Sequence, residues 1–297
     1  MAIDANLNRK VAIVTGANSG IGRGIAEALA AEGTRVVVAG RTADRNDSVA
    51  ETIRAAGGTA LSVTGDMTQE TDIIELVDRT LEEFGQIDIC VANAGGIETV
   101  GAAPIDKMDT HMWRYVLALN LDAAFYLYRE ALRHMIPASN GGSLISVSSV
   151  GSIRNVSPSF HYASAKAGLN GLTMALADYL GPLNIRINAI LPGFVDSAAT
   201  AAMLGNPAVR DGIIKRIPLR KIGSPEDVGE LAVFLAGDRA SYITGQTFVI
   251  DGGQSTLMIS DSPRDWTSLC GRLTTGRRRR GRVRKIMQDN AATPYKV

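Results

Sequence analysis

Aromatic residues make up only 5% of this chain, and in 297 residues cysteine occurs twice and histidine three times. Two thiols, Cys90 and Cys270, cannot build a disulfide framework, and no Cys/His group has the spacing of a metal site, so no metal is expected. Cys90 lies in the apolar run Ile87–Val91 and reads as a small buried hydrophobe. No stretch of 18 apolar residues occurs, which leaves no transmembrane helix to expect. Met1 to Arg9 is mixed polar and lacks the apolar core of a signal peptide. A soluble cytoplasmic protein with no membrane partner is the expectation. Internal repeats are also missing, and nothing marks a second folded domain before about residue 257.

What the chain has in quantity is glycine, 31 residues, which together with few aromatics fits an α/β protein with many tight strand-to-helix turns. The net charge of +1 conceals an asymmetry. Residues 258–297 carry ten Lys/Arg against three Asp, leaving 21 basic and 27 acidic side chains before them, a net of −6. A mildly acidic domain over 1–257 is expected, followed by a basic tail over 258–297.

Apolar runs and helical patterns alternate along that domain. The expected strands are Lys10–Thr15, Val36–Ala39, Ala60–Thr64, Ile87–Ala92, Ser143–Ser148, Ile185–Ile190 and Thr247–Ile250. Between them come helical stretches at Gly22–Glu32, Asp44–Ala56, Glu70–Phe84, Met108–Met135, Tyr162–Leu180 and Pro225–Leu235. Continuous apolar strands alternating with helices indicate a parallel sheet covered on both faces. Right-handed crossovers make it a doubly wound, Rossmann-type sheet of about seven strands that binds ligands at the strands' carboxyl ends.

Tyr162 and Lys166 stand at i and i+4, so a helix places phenol and ammonium on one face. The positive charge favours the phenolate and lets Tyr162 exchange a proton below the ordinary phenol range. Reduction of a carbonyl needs such a donor at the developing alkoxide. At the first strand's end, Thr15-Gly16-Ala17-Asn18-Ser19-Gly20-Ile21-Gly22 spaces its glycines G-x-x-x-G-x-G, where backbone can approach a pyrophosphate at a helix N-terminus. The second strand ends Ala39-Gly40-Arg41. Gly40 stands where an NAD site carries an acid, and Arg41 suits a 2′-phosphate, so NADP is expected, with NAD as the alternative.

Thr15-Gly16-x-x-x-Gly20-Ile21-Gly22, Asn93-Ala94-Gly95, Asn120, Ser149, Tyr162-x-x-x-Lys166 and Pro192-Gly193 together resemble the short-chain dehydrogenase/reductase family over about residues 8–257. The ending Tyr242 to Gly253 is similar to the 3-oxoacyl-carrier-protein reductase and sugar dehydrogenase branch. The resemblance implies an NADP-dependent oxidoreductase that interconverts a ketone and a secondary alcohol, in particular a 3-oxoacyl thioester reductase. An NAD(P)-dependent sugar or polyol dehydrogenase is the alternative. Tyr162 is then the general acid in reduction, Lys166 its partner and a holder of the nicotinamide ribose, and Ser149 a donor to the substrate oxygen. Asn120 anchors a relay water. Ser149 stands 13 residues before Tyr162, the family's spacing, which selects it over Ser148.

By the same resemblance the cofactor is held by Gly16, Asn18, Ser19, Gly20, Ile21 and Gly22 of the loop and by Arg41. Asp66, with Met67 after it, serves the adenine, and Asn93, Ala94 and Gly95 the adenosine ribose. Pro192, Gly193, Val195 and Ser197 serve the nicotinamide, with Ser197 where the family usually has Thr. A homotetramer is implied as well. Ala92 replaces the first Asn of the family's Asn-Asn-Ala-Gly.

His161, beside Tyr162, reads as substrate-lining or exposed, and His111 and His134 as ordinary helix-surface residues. Substrate choice is expected from Gly96–Met108 and from a lid over Asp196–Pro218. The lid is apolar at its start (Ala198, Ala199, Ala201, Ala202, Met203, Leu204), which suits an acyl chain or a steroid-like or aromatic ketone better than a free sugar. The tail's dense like charge around Arg277 to Lys285 argues for disorder, and it reads as a solvated appendage rather than a nucleic-acid contact. A non-catalytic nucleotide sensor on this fold is disfavoured by the intact Asn120, Ser149, Tyr162 and Lys166.

Overall fold

The computed structural model describes residues 5–97, 102–154 and 159–256. The basic tail expected over 258–297 lies outside them. Seven strands, β1 (Val11–Thr15), β2 (Arg35–Gly40), β3 (Thr59–Thr64), β4 (Ile89–Ala92), β5 (Gly142–Val147), β6 (Ile185–Pro192) and β7 (Thr247–Ile250), form one sheet in the order β3-β2-β1-β4-β5-β6-β7. Every pairing is parallel.

The continuous apolar runs follow from burial on both faces. Along a strand successive side chains point to opposite sides. Ala12 and Val14 of β1, Val36 and Val38 of β2 and Ile89 and Val91 of β4 enter one core. The alternate residues Ile13, Val37 and Ala39, and Cys90 and Ala92, enter the other. The first core is roofed by α1 (Gly20–Ala31), α2 (Ala43–Ala55) and α9 (Pro225–Ala236), and the second by α3 (Glu70–Phe84), α5 (Ala123–Ala138) and α6 (Phe160–Leu180). Each aliphatic side chain fully buried in these layers stabilises the fold by about 1.5–3 kcal/mol before entropy is counted.

Two local features depart from expectation. The helix expected over Met108–Met135 is interrupted: α4 (Thr110–Leu117) passes through a π turn, Ala118–Asp122, into α5. In that turn the Ala123 amide reaches back to the Ala118 carbonyl, one residue further than in an α-helix, as π-bulges do, often at functional sites. The expected lid contains two short helices, α7 (Ala198–Leu204) and α8 (Pro207–Lys215), started by Ser197 with Thr200 in a capping box and by the Asn206-Pro207 pair. Leu204, Ile213 and Ile217 give this lid a small apolar cluster with Phe194 and Ile222.

The order reverses between β1 and β4, because β1 connects outward to β2 while β4 to β7 build the other half. At such a switch point the loops leaving the strands diverge and leave a crevice at their carboxyl ends. Every candidate residue belongs to those ends or to the helices beside them.

Candidate active site

The first loop runs from Thr15 to the start of α1. Gly16 (φ +64°) and Gly20 (φ +52°) occupy the left-handed region that suits residues without a Cβ. A Cβ at Gly16 would lie 2.9 Å from the Ala94 Cα, so the loop after β4 packs directly on it. Thr15 Oγ1 accepts from the amides of Asn93 and Ala94 (both 3.1 Å), and Asn93 Nδ2 donates back to the carbonyls of Thr15 (2.8 Å) and Gly16 (3.2 Å). The two loops flanking the switch point are thus stapled together. Ser19, the N-cap of α1, makes no side-chain cap bond, which leaves the helix's first amides to an anion placed before them. Ser197 closes over this loop, its Cβ 3.0 Å from where a Gly20 Cβ would stand. A pyrophosphate fits this cradle of backbone donors.

The end of β2 is shaped by a buried amide. Asn46 of α2, fully buried, donates through Nδ2 to the carbonyls of Gly40 (2.8 Å) and Val63 (3.2 Å) and to Thr64 Oγ1 (3.3 Å), tying β2 to β3. Asn18 Nδ2 donates to Asn46 Oδ1 (3.1 Å). Side chains therefore surround Gly40 closely: a Cβ there would lie 2.5 Å from Asn18 Nδ2 and 2.8 Å from Asn46 Oδ1. Arg41 is exposed, and its Nη1 donates to Tyr115 Oη at 3.1 Å. After β3, Asp66 Oδ1 accepts from the amide and hydroxyl of Thr68, both at 3.0 Å. Met67 turns its side chain into the core and leaves only backbone at the crevice, and Val195 is buried likewise.

At the other end, Lys166 is 3% exposed, its Nζ donating to the Val147 carbonyl (2.8 Å) and lying 5.7 Å from the Tyr162 ring centre. Asn120 is 1% exposed and bonded through both ends of its amide: Oδ1 accepts from the Gly96 amide, and Nδ2 donates to the carbonyls of Gly96 and Val116, all at 2.9 Å. The bond to Val116, four residues back, shows the amide side chain serving a helical carbonyl next to the π turn. Gly95 passes between the two polar ends, since a Cβ there would meet Asn120 Oδ1 at 2.6 Å and Lys166 Nζ at 2.9 Å.

Ser149 caps the short turn Val150–Ser152, its Oγ accepting from the Gly151 amide at 3.0 Å. A hydroxyl that accepts still has its own proton to give. Tyr162 stands on the same side: a Cβ at Gly151 would touch Ser149 Oγ at 3.3 Å and Tyr162 Cε1 at 3.9 Å. Ser148 is buried and donates to the Lys166 carbonyl (3.1 Å), so it pins β5 to α6. The structure thus brings Ser149, Tyr162, Lys166 and Asn120 together. Gly193 seals the crevice near β7, with Asp251 Cβ 2.6 Å from where its own Cβ would be. Of the substrate segment Gly96–Met108, residues 98–101 lie outside the described residues.

His161 corrects an expectation. It is fully buried, because it heads the stripe His161, Ala165, Leu169, Thr173 that faces the interior, whereas Tyr162 is one step round the helix. His111 and His134 are exposed. Three residues outside the expected set shape the crevice: Thr15, Asn46 and Tyr115. Thr15 opens the glycine motif, and Asn46 is a poor helix former early in a helix. Nothing local singles out Tyr115.

Similarity to known proteins agrees with this arrangement. A family model described as enoyl-(acyl carrier protein) reductase matches residues 16–255. A cis-4-hydroxycyclohexanecarboxylate dehydrogenase of Sinomonas cyclohexanicum is 39% identical over 249 residues, covering 84% of this chain and 97% of the relative. Among solved structures, a candidate NAD(P)-dependent gluconate 5-dehydrogenase of Beutenbergia cavernae, with NADP bound at low occupancy, superposes with a TM-score of 0.80. It is 36% identical and covers 86% of this chain and all of that one. A 7α-hydroxysteroid dehydrogenase complexed with NADH and 7-oxo glycochenodeoxycholic acid superposes equally well, TM-score 0.80, at 32% identity over 85% of this chain and 98% of its own. The chain belongs to the short-chain dehydrogenase/reductase family, nicotinamide-dependent oxidoreductases acting on CH–OH groups.

Proposed function

We propose that this chain is an NADP-dependent oxidoreductase that interconverts an apolar ketone and its secondary alcohol, with Ser149, Tyr162, Lys166 and Asn120 as its proton-delivery group. The observation that carries the reading is the convergence at Gly95 and Gly151, where Asn120 with Lys166 and Ser149 with Tyr162 meet around one backbone turn each. When bound, the nicotinamide supplies the hydride in reduction and accepts it in oxidation. Tyr162 gives the proton to the developing alkoxide, and Ser149, held by Gly151, donates a hydrogen bond to the same oxygen. Lys166 places a buried positive charge beside the phenol, favouring its ionised form after the proton leaves. Asn120 fixes the Gly95-Gly96 turn against Lys166 and anchors the route by which Tyr162 is reprotonated.

NADP is favoured by Arg41 and by the absence of room for an acid at position 40. For the substrate, the apolar start of the segment Asp196–Pro218 suits a ring-bearing ketone better than a polyhydroxylated sugar. The cyclohexane and steroid rings in the names of two relatives support a ring-bearing ketone or alcohol. We also read the chain as a homotetramer, because Phe125, Met174 and Tyr179 are exposed on α5 and α6 and Val249 on the edge strand β7. Light scattering tests this, and a monomeric mass overturns it. The deciding experiment for function follows NADPH absorbance with cyclic ketones, bile-acid ketones, 3-oxoacyl thioesters and keto sugars. Turnover of ring ketones above the sugars is expected. Preference for keto sugars would overturn the substrate reading, and for 3-oxoacyl thioesters would move it to acyl chains.

A further inference from the structure

Helix α4 enters the site twice. At its end it runs into the π turn that holds Asn120, and in its middle Tyr115 receives the Arg41 guanidinium at 3.1 Å, 74 residues away in sequence. Arg41 is exposed and Tyr115 half-buried, so the contact lies outside both cores. Beside it lies a shallow cavity, open to solvent and lined by Thr68, Gln69, Thr110, His111, Arg114, Tyr115 and Ala118. Thr68 is the residue that braces Asp66, so the cavity adjoins the expected adenine position on one side and Arg41 on the other. Arg114 adds a second guanidinium to its wall, and His111 stacks on Tyr115 with ring centres 6.3 Å apart.

We propose that Tyr115 is a specificity-determining positioning residue: it holds Arg41 over the adenosine end, so that α4 forms the outer wall of the subsite for the cofactor's 2′-phosphate. The inference rests on the NADP reading above. An exposed arginine samples many rotamers, and holding one of them lowers the ordering cost at the moment a phosphate binds. Tyr115 can do this without competing for the phosphate, because a guanidinium has five N–H donors and the phenol engages one nitrogen. The alternative reader, an acid on Gly40 gripping a ribose hydroxyl, is crowded by Asn18 and Asn46, which would have to move. Selectivity is therefore concentrated on Arg41 and whatever holds it.

The test titrates the full chain with NADPH and NADH by nicotinamide fluorescence in wild type, Tyr115→Phe, Arg41→Ala and the double variant. Phe keeps the ring against His111 and removes only the hydroxyl that accepts from Arg41. Tyr115→Phe is expected to weaken NADPH roughly tenfold, the scale of one lost hydrogen bond to a charged group, with NADH within about twofold. The double variant should bind NADPH no worse than Arg41→Ala alone, because both changes disable one device. An additive double variant, or an unchanged NADPH/NADH ratio in Tyr115→Phe while Arg41→Ala lowers it, overturns the inference. An unchanged ratio in Arg41→Ala instead removes the NADP reading itself. Thermal stabilisation by adenosine 2′,5′-bisphosphate, expected to be smaller in Tyr115→Phe and equal if the inference is wrong, tests the subsite without nicotinamide.

Discussion

At the β4–β5–β6 end of the crevice the polar groups are buried and committed: Asn120 makes three hydrogen bonds at 2.9 Å, and Lys166 is fixed to the Val147 carbonyl. At the β2–β3 end Arg41 is exposed and meets Tyr115 through one contact at 3.1 Å. Proton transfer needs donor and acceptor held within a fraction of an ångström, so the chemical end is enclosed by backbone it cannot leave. Selecting a phosphate needs charge at the right place, which a surface side chain supplies if something holds it. On the proposed roles, rigidity is concentrated where bonds are made and broken, and the selecting group is a surface charge steadied by one contact.

The strongest way to break this contrast is at Tyr162. Tyr162→Phe removes the proposed proton donor and leaves the ring, so kcat should fall by about 10²–10⁴-fold, the usual contribution of general acid catalysis, while NADPH affinity stays near that of wild type. Stopped-flow single turnover with fluorescence titration measures both. Retention of most activity would remove Tyr162 from the chemistry. Next in size is Gly95→Ala, which replaces no member of the proposed proton-delivery group but crowds two of them. Its methyl would enter the space between Asn120 Oδ1 and Lys166 Nζ. Both partners are held by backbone, so they give way only by shifting, and displacements of this size cost about 10²-fold in rate. Unaltered kcat in the Gly95→Ala enzyme would show that the enclosed end is more pliant than its bonds indicate.

How much of this is legible in the sequence differs between the two ends. The Tyr162–Lys166 spacing, the 13-residue offset to Ser149 and the glycine loop are local patterns, and the alternating apolar runs set the sheet. The π turn is hidden because its single extra residue leaves no break in the helical pattern between α4 and α5. His161 is misplaced by the sequence because its interior stripe runs through small Ala165 and polar Thr173, which mark the buried face only weakly. The helices α7 and α8 do carry start signals, at Ser197 and Asn206-Pro207, in a segment that reads as a lid. Arg41 is legible from its place after β2, but its partner is not, since pairing across 74 residues leaves no local trace.

Substitutions at the selecting end sharpen the contrast with smaller effects. Arg41→Asp replaces the proposed phosphate reader by a repulsive charge on an exposed side chain, so the kcat/KM preference should move toward NAD by roughly one to two orders of magnitude with the fold unharmed. Gly40→Asp, at the position where an acid is expected in an NAD site, should fail to do the same. Its side chain would collide with Asn18 and Asn46, and relieving the collision breaks the buried Asn46 bonds to Gly40, Val63 and Thr64. A loss of about 1–3 kcal/mol in stability is expected, without a gain in NADH use, read by urea unfolding and paired kinetics. If Gly40→Asp instead yields a stable NAD enzyme, the floor of this end is softer than its hydrogen bonds imply.

The smallest effect is invisible at neutral pH and concerns the support of the chemical end. Tyr128 Oη lies 2.8 Å from Ser146 Oγ, which lies 3.0 Å from Thr173 Oγ1, a chain of hydroxyls joining α5, β5 and α6 behind Ser149 and Tyr162. Burial pushes the Tyr128 phenol above its ordinary range, and burial does the same to the Cys90 thiol, with the Asp88 charge adding to it. Both groups keep their protons in the folded chain at pH values where the unfolded chain has lost them. Above about pH 9 the folded state therefore binds more protons, and stability must fall as pH rises, by up to about 1.4 kcal/mol per pH unit for each group. Urea midpoints between pH 8 and 10.5 should trace this decline. Tyr128→Phe, which cannot ionise, should flatten it by one proton's slope while lowering stability slightly at pH 8, where the hydroxyl bond is lost. A decline as steep in Tyr128→Phe as in wild type would mean that the phenol is not sealed in the folded chain. The rigidity assigned to the chemical end would then stop at its first layer of residues.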